Sequence, residues 1–173
     1  MPPDLRERLA AARVVPVATL DDGEQAERVA HALLRGGVAC IEVTFRTPAA
    51  VEAIARAARA DGMLVGAGSV LTVAQLEEAV AAGAAFAVAP STNASVIEAA
   101  RTAQVPFFPG VATPTEVERA RELGADVVKA FPAGPLGGPS FLAAIHAVYP
   151  EVRFIPTGGS ALRTLMPTLP RRA

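Results

Sequence analysis

The constraint that most limits this chain is a rhythm. Short apolar runs begin at Val14, Ala39, Leu64, Phe86, Val105, Asp126 and Val152, so start-to-start spacings run from 19 to 26 residues. Each spacing holds one strand, one helix and two short connections. The predicted strands are Val14–Thr19, Ala39–Thr44, Leu64–Ser69, Phe86–Pro90, Val105–Val111, Asp126–Phe131 and Val152–Thr157. They are nearly continuous in apolar residues, a pattern that suits parallel strands covered on both faces rather than an alternating half-exposed sheet. Seven βα-sized units in series point to a TIM-type (β/α) barrel more than to an open doubly wound sheet, although periodicity alone does not set strand order.

Helix signals fill the gaps. A short charged helix is expected over residues 3–12. Asp21 or Asp22 can cap a helix to about Arg35, closed by Gly36-Gly37. Thr47-Pro48 reads as a helix start running to about Ala60, with proline at the first helical position. Thr72 caps the next, Thr92 or Asn93 the one after, Thr113-Pro114 the following one, and Pro139 or Ser140 opens the last.

Composition removes whole classes. With 51% hydrophobic and 19% charged residues the chain is not disordered, and its 173 residues suffice for one core. A net charge of −1 offers no basic excess for nucleic acid. No apolar run of membrane-spanning length and no signal peptide is recognisable, so a cytoplasmic protein with no membrane or nucleic-acid partner is expected. Cys40 is the single cysteine, which excludes an intrachain disulfide and a thiolate metal cluster. It reads as a buried filler. His31 and His146 fall in helix patterns, away from any chemistry, and no metal site is expected.

One count carries chemistry. Of the 16 basic residues, fifteen are arginine and one is Lys129, which stands inside the apolar run Val127-Val128-Lys129-Ala130-Phe131-Pro132. It could pair with a carboxylate or face solvent from an edge. Arginine cannot replace a lysine that must become a neutral amine, and a desolvated lysine can attack a carbonyl to form a Schiff base. Glu42 is the one carboxylate well inside a strand run, in Cys40-Ile41-Glu42-Val43-Thr44-Phe45-Arg46. A structural ion pair or a general acid/base fits it. Arg46, in the following loop, can clamp a carboxylate through two parallel hydrogen bonds, though an ordinary loop arginine would look the same. Gly66-Ala67-Gly68-Ser69 fails as a dinucleotide fingerprint but can present amides and a hydroxyl to an anion. Thr157-Gly158-Gly159 is either a simple turn or a phosphate-binding βα loop.

Taken in order, Glu42-Val43-Thr44-Phe45-Arg46-Thr47, Gly66-Ala67-Gly68-Ser69-Val70-Leu71, Pro109-Gly110-Val111-Ala112-Thr113-Pro114, Lys129-Ala130-Phe131-Pro132-Ala133 and Pro156-Thr157-Gly158-Gly159 resemble the 2-keto-3-deoxy-6-phosphogluconate (KDPG) aldolase family. That family also holds 4-hydroxy-2-oxoglutarate (KHG) and 2-keto-3-deoxy-6-phosphogalactonate aldolases. The resemblance implies a trimeric (β/α)8 barrel with an N-terminal helix and neither metal nor cofactor. It implies cleavage of a phosphorylated 2-keto-3-deoxy sugar acid to pyruvate and glyceraldehyde 3-phosphate. By resemblance, Lys129 forms the Schiff base, Glu42 is the general acid/base and Arg46 binds the pyruvyl carboxylate. Ser69 stands where the family usually has threonine near that carboxylate. Pro90 lines the substrate pocket, followed by Ser91 where glycine is frequent. Thr157, Gly158 and Gly159 form the turn that contacts substrate and supplies phosphate-binding amides.

The resemblance is read from about residue 13 to Gly159. An incomplete barrel domain over 1–159 is therefore expected, with 160–173 a poorly structured tail, such as a truncation or frameshift would leave. An eighth strand should begin at about position 175 by the same rhythm, beyond the 173 residues given. Without it, half the phosphate site and a shared neighbour for the first and last strands would be lacking. A barrel of little activity, kept as an assembly module, is the alternative to an active aldolase.

Overall fold

The computed structural model describes residues 3–159. Parallel strands and helices alternate through α1 (Pro3–Ala12), β1 (Val17–Ala18), α2 (Gly23–Arg35), β2 (Cys40–Thr44), α3 (Ala50–Ala57), β3 (Leu64–Gly68), α4 (Val73–Ala81), β4 (Phe86–Val88), α5 (Ala94–Thr102), β5 (Phe107–Phe108), β6 (Gly110–Val111), α6 (Pro114–Glu122), β7 (Val127–Ala130), α7 (Pro139–Val148) and β8 (Arg153–Pro156). The expected tail over 160–173 lies outside the described residues.

Six of the seven predicted strands form as single strands. The fifth does not: β5 and β6 are separated at Pro109, which has no backbone N–H to offer a ladder. β5 closes a five-stranded sheet in the order β1-β2-β3-β4-β5, and β6 opens a three-stranded sheet, β6-β7-β8. The described chain correspondingly divides into two compact units, one running from Pro3 to Ala89 and taking in Asn93–Phe107, the other made of Pro90–Thr92 and Phe108–Gly159.

In the first unit, Ile41 and Val43 of β2 and Val65 and Ala67 of β3 point to one side and pack with Ile54 of α3 and Leu76 of α4, all under 3% exposed. In the second, Val128 of β7 packs with Val117 and Ala120 of α6 and Ile145 of α7. Burying the valine, leucine and isoleucine side chains among these contributes roughly 1.5–3 kcal/mol each relative to leaving them in water. Around the second core, Tyr149 donates its hydroxyl to Glu118 Oε1 at 3.1 Å, Arg121 lies 5.5 Å from the centre of its ring, and Arg121 pairs with Glu151 at 2.5 Å.

The caps show why most helices start where they do. Asp22 accepts from the Gln25 N–H at 2.7 Å and starts α2, and Asn93 accepts from Ser95 at 3.0 Å and starts α5. At α6 the Thr113 hydroxyl accepts from the Glu116 N–H at 3.3 Å, and the Glu116 carboxylate reaches back past the cap to accept from the Ala112 N–H at 2.7 Å. A side-chain cap is lacking at α7, which follows Gly138 and starts at Pro139, and at α3. α3 begins at Ala50 rather than Pro48, because the Thr47 hydroxyl donates instead to the Leu20 carbonyl at 2.5 Å. Among the described residues no helix is long and apolar enough to cross a membrane.

Candidate active site

Strand pleat decides which side chains leave the helix-packed cores. On β2, Ile41 and Val43 take the core face, so Cys40, Glu42 and Thr44 take the other. Among the described residues, the buried polar or charged side chains are Glu42 (3% exposed), Thr44 (2%) and Lys129 (4%). Burying ionisable groups this deeply is costly, and no buried side-chain nitrogen or oxygen in the described chain lacks a hydrogen-bond partner.

In the first unit, Glu42 is in register with Gly66 and Thr44 with Gly68. The carboxylate leans along the strand toward Gly68: a Cβ added there would lie 2.2 Å from Glu42 Oε1. Glycine at 68 is thus a condition for the carboxylate's position. At the same level the Thr44 and Thr19 hydroxyls share a hydrogen bond of 3.0 Å. Beyond the strand ends, the Phe45 N–H donates to the Gly68 carbonyl at 2.8 Å, Arg46 is exposed in the loop, and half-buried Ser69 holds a left-handed φ of 58°. The C-terminal ends of β2 and β3 therefore gather Glu42, Arg46 and Ser69.

In the second unit, Lys129 is in register with Gly110 on one side and Ile155 on the other. Its backbone N–H donates to the Pro109 carbonyl at 2.8 Å, and its Nζ stands over the Phe131 ring, 5.4 Å from the centroid. The Phe131–Pro132 peptide bond is cis. Gly110 lies so close to the preceding crossover that a Cβ would fall 2.1 Å from the carbonyl carbon of Pro90. The Gly110 amide donates to the Ser91 carbonyl at 3.2 Å, and the Thr92 hydroxyl donates to the Gly110 carbonyl at 3.0 Å. After β8, the Thr157 amide donates to the Ala130 carbonyl at 3.0 Å, while the carbonyls of Thr157 and Gly158 accept from the Ala133 and Gly134 amides at 2.8 Å each. Positive φ angles at Gly158 and Gly159 (85° and 78°) make the turn. Lys129, Thr157, Gly158 and Gly159 thus lie on β7 and just beyond β8 in this unit, and Pro90 packs against Gly110 of β6.

Cys40 is wholly buried and its Sγ donates to the Val14 carbonyl at 3.2 Å. Burial pushes its thiol pKa up, against a smaller lowering by Arg8, which disfavours the thiolate a nucleophile would need. His31 on α2 and His146 on α7 are exposed. Among the described residues no three His, Cys, Asp or Glu side chains come together in a way that could hold a metal ion.

Sequence reading passed over Thr19, Thr44, Gly68 and Phe131 as individual participants. Two carried a local signal: Thr44 and Phe131 lie two residues beyond Glu42 and Lys129, and thus on the pleat face of those residues if the strand continues. Thr19 and Gly68 carried none, because their part depends on strand register.

Comparison with known proteins follows the same lines. The family model for KDPG and KHG aldolases matches residues 5–169, running past Gly159. The 2-dehydro-3-deoxy-phosphogluconate aldolase of Treponema pallidum (strain Nichols) is 50% identical over 161 residues, covering 92% of this chain and 76% of that protein. The crystal structure of the 2-keto-3-deoxy-6-phosphogluconate aldolase of Zymomonas mobilis ZM4 with 3-phosphoglycerate superposes with a TM-score of 0.87 at 39% identity, over 91% of this chain and 76% of that one. The KDPG aldolase of Legionella pneumophila, with pyruvate captured at low pH as a covalent carbinolamine intermediate, gives 0.88 at 38% identity, over 94% and 80%. These neighbours assign the fold to the TIM-type (β/α) barrel class.

Proposed function

The chain belongs to the KDPG and KHG aldolase family, and on that premise we propose that it is a class I aldolase that cleaves 2-keto-3-deoxy-6-phosphogluconate to pyruvate and glyceraldehyde 3-phosphate. The observation that carries the proposal is the single lysine of the chain, 4% exposed on β7, in a family where pyruvate has been captured as a carbinolamine.

In this reading the Lys129 amine, once neutral, attacks the C2 carbonyl. The carbinolamine loses water and becomes a protonated imine, whose nitrogen accepts the electron pair of the C3–C4 bond as it breaks. Glu42 takes the proton from the C4 hydroxyl, so the aldehyde leaves, and returns a proton when the enamine is converted to the pyruvyl imine. Water then releases pyruvate and the free amine. Arg46 anchors the substrate carboxylate, with the Ser69 hydroxyl beside it, and Pro90 lines the pocket. The Thr157-Gly158-Gly159 turn offers backbone amides to the phosphate. No cofactor takes part in these steps. A cytoplasmic homotrimer completes the proposal, checked in solution by light scattering behind size-exclusion chromatography.

The central test is incubation with pyruvate and borohydride. Reduction should fix a three-carbon adduct, and peptide mapping should place it on Lys129. A folded sample that gains no mass would overturn the Schiff-base reading. The family's description includes KHG, so 4-hydroxy-2-oxoglutarate and 2-keto-3-deoxy-6-phosphogalactonate belong in the same cleavage assay. A higher kcat/KM on either would reassign the substrate.

A further inference from the structure

We propose that Phe131 is an electrostatic partner of the reaction: its ring face holds positive charge on the Lys129 nitrogen and so drives the neutral carbinolamine toward the protonated imine. The inference rests on the aldolase reading above and deepens it.

Three observations place the ring. Lys129 Nζ stands over it at 5.4 Å from the centroid, within the range at which a cation is attracted to the negative face of an aromatic quadrupole. The ring lies close against Gly158, where a Cβ would come 3.0 Å from Phe131 Cε2 and 3.1 Å from Cδ2. The backbone is tied by the Phe131 N–H, which donates to the Val111 carbonyl at 3.1 Å. The side chain is half-buried, and a partly desolvated cation–π contact is worth more than an exposed one.

The step on which this acts is balanced as follows. In the carbinolamine the nitrogen is neutral and C2 is tetrahedral. A proton from the general acid joins the C2 hydroxyl, which leaves as water. The nitrogen lone pair becomes the second bond to C2, and the nitrogen acquires the positive charge. A ring face next to that nitrogen stabilises the product of this step and leaves the neutral reactant nearly untouched. The ratio of protonated imine to carbinolamine at fixed pH should therefore follow the strength of the ring quadrupole.

The test exchanges Phe131 for 4-fluoro- and 3,4,5-trifluorophenylalanine, which weaken the quadrupole at nearly constant shape, and adds Phe131→Leu. Each protein is loaded with pyruvate labelled with carbon-13 at C2, and the trigonal and tetrahedral carbon signals are compared by NMR. The imine-to-carbinolamine ratio should fall stepwise with fluorination, by about tenfold across the series, with Phe131→Leu at the low end. A ratio that stays flat across the fluorinated proteins overturns the proposal, even if Phe131→Leu lowers it, because packing alone would then explain the leucine effect. That result leaves the aldolase reading standing, provided the unaltered protein forms its borohydride-fixed adduct. Neither a covalent carbon signal nor an adduct in the unaltered protein would sink both.

Discussion

At the scale of single residues, the two ionisable groups that matter were visible as interruptions. Glu42 and Lys129 break apolar strand runs, and both are buried, at 3% and 4% exposure. Lys129→Arg keeps the cation but removes the nucleophile, so turnover should vanish while the folded signal by circular dichroism persists; retained cleavage would count against the mechanism. What could not be read along the chain is what stands across it. Gly68 looks like any small residue at a strand end until register sets it against the Glu42 carboxylate. Gly68→Ala would drive its Cβ to 2.2 Å from Oε1, and the far end of a flexible side chain can yield. The fold should survive, with kcat reduced by about 10²-fold as the carboxylate is displaced. Gly110→Ala presents the opposite case, because its Cβ would meet the backbone of Pro90, which cannot yield. Its expected result is a large drop in Tm. The paired measurement of Tm and kcat for both variants checks whether the two glycines serve different ends.

At the scale of elements, caps and periodicity made most boundaries legible, because both are local in sequence. Asp22, Thr72, Asn93 and Thr113 each hold the first turn of their helix by a side-chain hydrogen bond. Thr113→Ala removes the side-chain cap of α6 and should cost about 1 kcal/mol, read as a lower urea midpoint with an unchanged slope. Where local signals failed, a distant partner had taken the group in question. Thr47 resembles a cap but is engaged by the Leu20 carbonyl, and α3 starts later for that reason. The run Val105–Val111 resembles one strand, yet its two halves belong to different sheets on either side of Pro109. Proline in a strand run was the available warning, and the apolar flanks concealed it.

At the scale of the whole molecule, burial sets a pH response that no single motif announces. Burial pushes the Cys40 thiol above its ordinary value of 9.0, and burial together with the hydrogen bond to Glu118 pushes the Tyr149 hydroxyl above 10.0. In the window between ordinary and raised values the folded chain holds protons that the unfolded chain has released. Stability is therefore fully present below pH 9.0 and falls as pH rises through the raised values. Urea midpoints should decline from pH 9.0 upward, and Cys40→Ala should flatten the first part of that decline. A flat profile in the unaltered protein would contradict the assignment. The scarcity of lysine has another whole-molecule consequence, in the language of labelling. With its one side-chain amine buried on β7, the protein has a single address for reagents that acylate or alkylate lysine, and that address is the proposed nucleophile. Labelled lysine then becomes a count of accessible sites. An aldehyde cross-linker or an amine-coupled sensor surface would hold this molecule, if at all through a side chain, by the group with which it works.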